Sequence, residues 1–281
     1  MTNTENVPIN SVPSSITQVG IITKYTFLDY FRSRRFLILL IITILISALL
    51  TGLVGYYRPV NFTTTPLGFY SSWWGNSTTF VVILSAIFFG GDAISSEFQN
   101  KTGYFGIPNP IRRSSIYVGK LLAAFVASTI ILGIFTAITV GNGIAYFGFN
   151  VPFEFAESVL FAWFYLVAVL GFTFFFSSLF KSSAMSILVT AILFLFVFTL
   201  IQSLVSALVQ IEPWFILTYG AQIIGNILMV PYPAHTSTIG AGRFVLTEYN
   251  ATVPEGLAII ALYFIITAVL GLLLFERKEF T

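Results

Sequence analysis

The chain has 281 residues, of which 57% are hydrophobic, 17% aromatic and only 9% charged, with a mean hydropathy of +0.91. Soluble domains keep about a quarter of their residues charged, so this composition describes an integral membrane protein. The absence of Cys and the single His, His235, exclude or nearly exclude a thiolate or imidazole metal site, a disulfide framework and a Cys or His catalytic centre, and a net charge of +2 suggests no nucleic-acid partner.

Residues 1–15 are polar and contain proline, and they read as a loose tail. About 35 residues precede the first long apolar run, so the N-terminus is not expected to be a cleavable signal peptide. Residues 16–35 place Ile21, Tyr25, Leu28 and Phe31 near one helical face and Lys24 and Arg32 elsewhere, the pattern of an interfacial amphipathic helix. Its basic residues Lys24, Arg32, Arg34 and Arg35 suit two roles, anchoring to lipid phosphates or contact with a cytoplasmic partner.

A bilayer core about 30 Å thick needs roughly 20 mostly apolar residues per helix and tolerates no unsatisfied backbone. Six runs meet that need, at about 36–56, 78–94, 115–146, 159–180, 183–209 and 256–275. The third is longer than one crossing requires, so its start is expected at the interface or outside the lipid. Residues 213–230 are uncharged and long enough to span. Thr218, Gln222 and Asn226 would share one face, however, Gly220 and Gly225 loosen the helix, and a seventh crossing would put Arg277 and Lys278 outside. The segment is therefore expected to be a re-entrant or outer-leaflet helix between spans five and six. The expected fold is an all-α integral membrane domain over residues 36–281, preceded by the interfacial helix.

With a cytoplasmic N-terminus, eleven of the thirteen basic residues fall inside and only Arg58 and Arg243 outside, a strong positive-inside asymmetry. Both termini are then cytoplasmic in a multi-pass protein of the cell membrane. Three N-x-[ST] tripeptides, at Asn61, Asn76 and Asn250, fall in the outer loops and are candidate glycosylation sites.

The connection between the second and third spans gathers Asp92, Glu97, Lys101, Arg112, Arg113 and Lys120 around a Pro108-Asn109-Pro110 turn. Counting 1.5 Å per residue from Glu97 back to Asp92 and from Ser115 on to Lys120 puts Asp92 and Lys120 at similar depth on adjacent antiparallel helices. An unpaired charge there is costly, so the two are expected to pair. Lys120 could instead reach lipid phosphate, and Glu97 could pair with Lys120 or Arg113. Nothing in the spans supplies converging titratable groups, so no catalytic residue is expected.

The run Glu97, Thr102-Gly103, Pro108 or Pro110, Arg112 or Arg113 and Gly119-Lys120 resembles the signature of ABC-2-type permeases, the exporter-class membrane subunits of ABC transporters. The layout of an interfacial helix, six spans and a long outer segment before the last is similar too. The resemblance implies a permease that pairs with a second, identical or homologous permease chain and binds two separate ATPase subunits. Those subunits would carry ATP and Mg, since this chain has no G-x-x-x-x-G-K-[ST] loop and needs no cofactor of its own. It further implies a coupling helix around residues 93–104. Glu97, Lys101, Thr102, Gly103, Arg112 and Arg113 would meet the ATPase, and a path would be lined by the first, second and fifth spans. Polar residues available there include Thr43, Ser47, Gln202 and Ser206. No charged ring lies at mid-membrane, which favours a hydrophobic or amphipathic cargo such as a lipid, a drug-like compound or a peptide. Small hydroxyl residues are equally suited to packing helices together. The competing readings are a force-transmitting or scaffolding subunit of the same family and a secondary transporter or channel. The latter would ordinarily place ionisable residues in mid-span.

Overall fold

The first helix begins where the Ser14 hydroxyl accepts a hydrogen bond from the Thr17 amide, satisfying one of the amides that an N-terminus leaves unpaired. The computed structural model describes residues 14–59, 62, 64–100, 111–239 and 246–278. Helix α1 (Ser15–Arg32) ends at Ser33, whose extended backbone breaks the chain and whose side chain accepts from the Phe36 amide to start α2 (Arg34–Tyr57). The expected segment 16–35 is thereby corrected, because Ser33 caps the next helix and moves Arg34 and Arg35 into its first turn. Along α1, Gln18 is buried while Ile21, Tyr25 and Phe31 stay exposed, so the helix packs by one face and leaves apolar side chains uncovered on another.

The second span is longer than its apolar run suggests. Thr65 caps α3 (Pro66–Tyr70), a π-helical turn follows at Ser71–Gly75, and α4 (Asn76–Gly90) carries on from it. A turn then leads to the short α5 (Ser95–Gln99). Residues 66–77 precede the expected start of this span at 78, but their aromatic side chains are covered by protein. Phe69, Tyr70, Trp73 and Trp74 are essentially fully buried, and Trp74 stacks on Phe135 at 5.6 Å. The Trp74 Nε1 donates to Ser158 Oγ at 2.9 Å, and Ser158 in turn donates to the carbonyl of Ile224.

Helix α6 (Arg113–Phe147) is 35 residues long, about 52 Å at 1.5 Å per residue, and so exceeds the hydrocarbon core. Its cap is Arg112, without a side-chain bond. Its first turns lie against α1, where Thr23 Oγ1 donates to Gly119 O at 3.1 Å and the Arg112 amide donates to Gln18 Oε1 at 3.2 Å. A Cβ at Gly119 would come within 2.8 Å of Ile22, so glycine is what lets the two helices approach. Next come α7 (Phe153–Leu179) and α8 (Ser183–Ile192). A π-helical turn at Leu193–Val197, α9 (Phe198–Leu204) and a second π-helical turn at Val205–Val209 complete the fifth span.

Residues 213–230 fold as two single-turn helices, α10 (Leu217–Gly220) and α11 (Ile223–Asn226), with Leu217, Tyr219, Ile223 and Ile224 fully buried. Thr218, Gln222 and Asn226 do share a face, lining a cavity of about 250 Å³ with Ser71 and Thr79. Beyond this segment lies a hairpin that the all-α expectation did not include, in which β1 (Thr236–Ile239) pairs antiparallel with β2 (Leu246–Tyr249), Thr236 facing Tyr249. The chain then enters α12 (Val253–Arg277) through a Thr252–Glu255 capping box with proline in the first turn.

Six segments are long and apolar enough to cross a membrane: Arg34–Tyr57, Pro66–Gln99, Arg113–Phe147, Phe153–Leu179, Ser183–Val209 and Val253–Arg277. They are not equally enclosed. Over an 18-residue stretch of each, the second is 72% buried within the chain, whereas the first, fifth and last are 22%, 17% and 22% buried, so the second is central and those three are peripheral. The described basic residues other than Arg58 gather at one end of the bundle, called here the basic end, and the hairpin caps the other.

Candidate functional site

At the basic end α4, the long helix of the second span, stops at Gly90-Gly91. A Cβ at Gly90 would lie 2.2 Å from Thr173 Oγ1, so α4 and α7 can touch there only through glycine. The turn that follows is held from several sides. Ser186 of α8 donates to the Gly91 carbonyl. Ser177 of α7 accepts from the amides of Ile94 at 2.9 Å and Ser95 at 3.0 Å, capping α5 from a neighbouring helix instead of from its own sequence. Lys120 of α6 donates to the Ala93 carbonyl at 2.8 Å and to the Glu97 carboxylate.

Asp92 lies in the same turn with its side chain 7% exposed, and its partner is Arg35 of α2 at 2.6 Å. The expected Asp92–Lys120 contact is therefore corrected. The depth count is right, since Lys120 reaches the residue next to Asp92, but each charge has a closer opposite charge on another element. Asp92 pairs with Arg35, and Lys120 pairs with Glu97. Burying a carboxylate is tolerable only when such a partner is present, and the boundary shift that puts Arg35 in the first turn of α2 supplies it. The Tyr30 hydroxyl donates to the Phe89 carbonyl at 2.8 Å just above.

The far end of α5 is fastened as well. Gln99 Oε1 accepts from the Ser183 amide at 2.8 Å, capping α8. Phe98 packs edge-on against Phe275 and lies beneath the Lys278 ammonium, 4.4 Å from its ring centroid. Lys278 also donates to the carbonyls of Ser178, Leu179 and Phe180 at 2.9–3.1 Å, neutralising the negative end of α7. Burial, and then Lys181, hold its pKa below the ordinary lysine value. Arg113 donates to the carbonyls of Glu276 and Lys278 at 2.9 and 2.8 Å, tying α6 to the end of α12. A five-residue helix is thus joined directly or through one residue to α2, α6, α7, α8 and α12. A cleft of about 490 Å³ opens beside it, with Asp29, Arg35, Asp92, Glu97, Lys120 and Ser183 among its walls.

The remaining expected residues fall as follows. Lys24, Arg32, Arg34 and Arg112 are exposed. Lys101, Thr102, Gly103 and Asn61 lie outside the described residues. Thr43 and Ser47 are 1% exposed and donate to carbonyls one turn back in their own helix. They pack α2 against its neighbours and do not face an open path from this chain. Gln202 accepts from Thr218 at 2.9 Å, and Ser206 is half-buried. Asn76, expected in an outer loop, opens α4 within the second span, because the buried aromatic residues before it are helical. The Asn250 side chain donates to the Ala234 carbonyl.

The contributions of Ser177, Ser186, Gln99 and Lys278 were not anticipated. Single hydroxyls and amides at span ends carry no pattern, and only the interruption of the phenylalanine run by Ser177-Ser178 hinted at one of them. No curated protein matches the sequence. The model of the family described as ABC-2 family transporter protein matches residues 21–280, nearly the whole chain, and the protein belongs to that family.

Proposed function

We propose that the chain is the path-forming permease subunit of an ATP-driven exporter, and that α5 is its coupling helix. The observation that carries this reading is the fastening of α5 to five helices of the bundle, so that a displacement of α5 must be shared by the spans attached to it. Two ATPase subunits, holding ATP and Mg, dock on the basic end, which faces the cytoplasm by the distribution of basic residues. Arg112 belongs to that contact surface by its exposure, and the family resemblance assigns Lys101, Thr102 and Gly103, outside the described residues, to the same contact. Glu97 acts one step behind, through its bond to Lys120. The exposed apolar residues of α1, with Lys24, Arg32 and Arg34 nearby, suit a helix lying in the headgroup region.

A second copy or homologue of the chain covers the first and fifth spans, the least enclosed of the six together with the last. The cargo is hydrophobic or amphipathic, since every charged residue of the six spans lies near an end. The burial of Thr43 and Ser47 removes two of the polar residues expected along the path and favours, as a second reading, a subunit that transmits force without passing cargo.

The test is purification with the partner ATPase. Arg112→Ala should weaken assembly or lower the stimulated ATPase rate several-fold, and Glu97→Ala should lower stimulation while leaving assembly intact. If both variants match the unaltered complex in assembly and rate, the coupling role of α5 is wrong. Active complexes that move no lipid or drug-like probe in vesicles would point to the force-transmitting reading.

A further inference from the structure

At the opposite end of the bundle, three side chains far apart in sequence converge. Glu212 follows the fifth span after Gln210 turns the chain through a left-handed backbone conformation. His235 immediately precedes β1, and Glu255 lies in the first turn of α12. Each offers one ligand atom, and the three atoms lie within 4.8 Å of one another. We propose that Glu212, His235 and Glu255 bind a divalent transition-metal ion of the zinc class, clasping the outer hairpin to the ends of the fifth and sixth spans.

The orientation of the imidazole points to a ligand. Its Nδ1 is 3.0 Å from the Asn250 carbonyl, which can only accept, so Nδ1 carries the proton. In the neutral ring Nε2 then presents its lone pair, and it faces Glu212 Oε2 at 3.4 Å. A lone pair directed at a carboxylate oxygen is unfavourable unless a cation or a proton lies between them. A metal-bound histidine commonly donates its other ring N–H to a backbone carbonyl in this way.

The carboxylates show the same division of labour. Glu212 Oε1 accepts from the Tyr219 hydroxyl at 2.8 Å, leaving Oε2 toward the histidine. Glu255 Oε2 accepts from the Thr252 amide at 3.2 Å in the capping box, and the Glu255 carboxyl group meets that of Glu212 within hydrogen-bond reach. Two carboxylates this close repel unless a cation or proton neutralises them, and among the described residues no lysine or arginine pairs with either.

One imidazole and two carboxylates form a borderline donor set that suits zinc, with water completing four-coordination. Calcium prefers all-oxygen cages and copper(I) prefers thiolates. Two ligands about 2 Å from zinc at the tetrahedral angle stand about 3.3 Å apart, close to the 3.4 Å already seen between His235 Nε2 and Glu212 Oε2. The single histidine seemed to argue against an imidazole site, but one is enough when folding brings two carboxylates to it.

The full-length protein in detergent, tag removed and chelator-treated, should bind one zinc ion per chain in a calorimetric titration at neutral pH, with a rise in thermal midpoint. His235→Ala and Glu212→Gln should each weaken binding at least tenfold while retaining the helical circular-dichroism spectrum. Glu154→Gln, on the same end but outside the cluster, should bind as the unaltered protein does. Absence of binding, or binding that survives His235→Ala unchanged as on scattered surface carboxylates, overturns the proposal. So does a midpoint that responds to pH but not to zinc, which would mean that the cluster holds a proton instead. Tyr219→Phe, which keeps all three ligands but removes a supporting bond, should lower affinity by roughly tenfold, within the range for such outer partners.

Discussion

Replacing Arg35 by methionine should cost more than replacing Asp92 by asparagine, although both break the same 2.6 Å pair. The difference lies in what is left behind. Arg35→Met leaves the Asp92 carboxylate 7% exposed with no counter-charge, whereas Asp92→Asn leaves a guanidinium that is 46% exposed and can be hydrated. Removing one partner of a fully buried pair costs about 3–5 kcal/mol, and exposed pairs are worth about 0–1 kcal/mol. With one partner buried and the other half in solvent, Arg35→Met should cost about 2 kcal/mol and Asp92→Asn about 1 kcal/mol, by interpolation between those limits. The double variant should cost no more than Asp92→Asn alone, giving a coupling of about 2 kcal/mol. Thermal unfolding of the four proteins in one detergent tests this. Arg35→Met should lower the midpoint by roughly 4–8 °C if the protein follows the scaling of about 2–4 °C per kcal/mol for large domains. Equal costs for the single variants, or a double variant whose losses simply add, would refute the argument that Arg35 neutralises a buried Asp92.

Two further outcomes follow from the geometry. Gly90→Ala forces a Cβ to within 2.2 Å of Thr173 Oγ1 and 3.1 Å of Thr173 Cβ. It should therefore destabilise by about 1–3 kcal/mol, with Thr173→Ala in the same chain recovering part of the loss on thermal unfolding. In this cysteine-free chain, Phe149→Cys, at a position 92% exposed, should label with a membrane-impermeant maleimide from outside intact cells. Lys181→Cys should label only after permeabilisation, and the reverse pattern would invert the topology.

The six spans were legible in the sequence because hydrocarbon imposes a length and an apolar composition on any helix that crosses it. The second span was underestimated for the same reason. Phe69, Trp73 and Trp74 are shielded by protein, so lipid placed no hydropathy constraint on the residues around them. Pairing at the basic end was only half legible. Helical rise fixes the depth of Asp92 and Lys120, but which charges meet depends on how helices are rotated and on a break at Ser33 that moved Arg35 into reach. Ser177 and Gln99 cap helices other than their own, and periodicity along one strand of sequence contains nothing about such partners. The hairpin escaped notice because its strands are four residues each, too short to establish an alternation.

The two π-helical turns of the fifth span, at Leu193–Val197 and Val205–Val209, bear on how that helix can move. A π turn stores one residue beyond an α turn. If it migrates along the helix, each residue it passes rotates by about 100°, one residue's share of a 3.6-residue turn, while both ends stay where they are. Gln202 sits between these two wound-in spare residues and is presently tethered to Thr218. The fifth span can thus exchange the face it shows a neighbour by a travelling twist, with no need to slide or tilt as a rod.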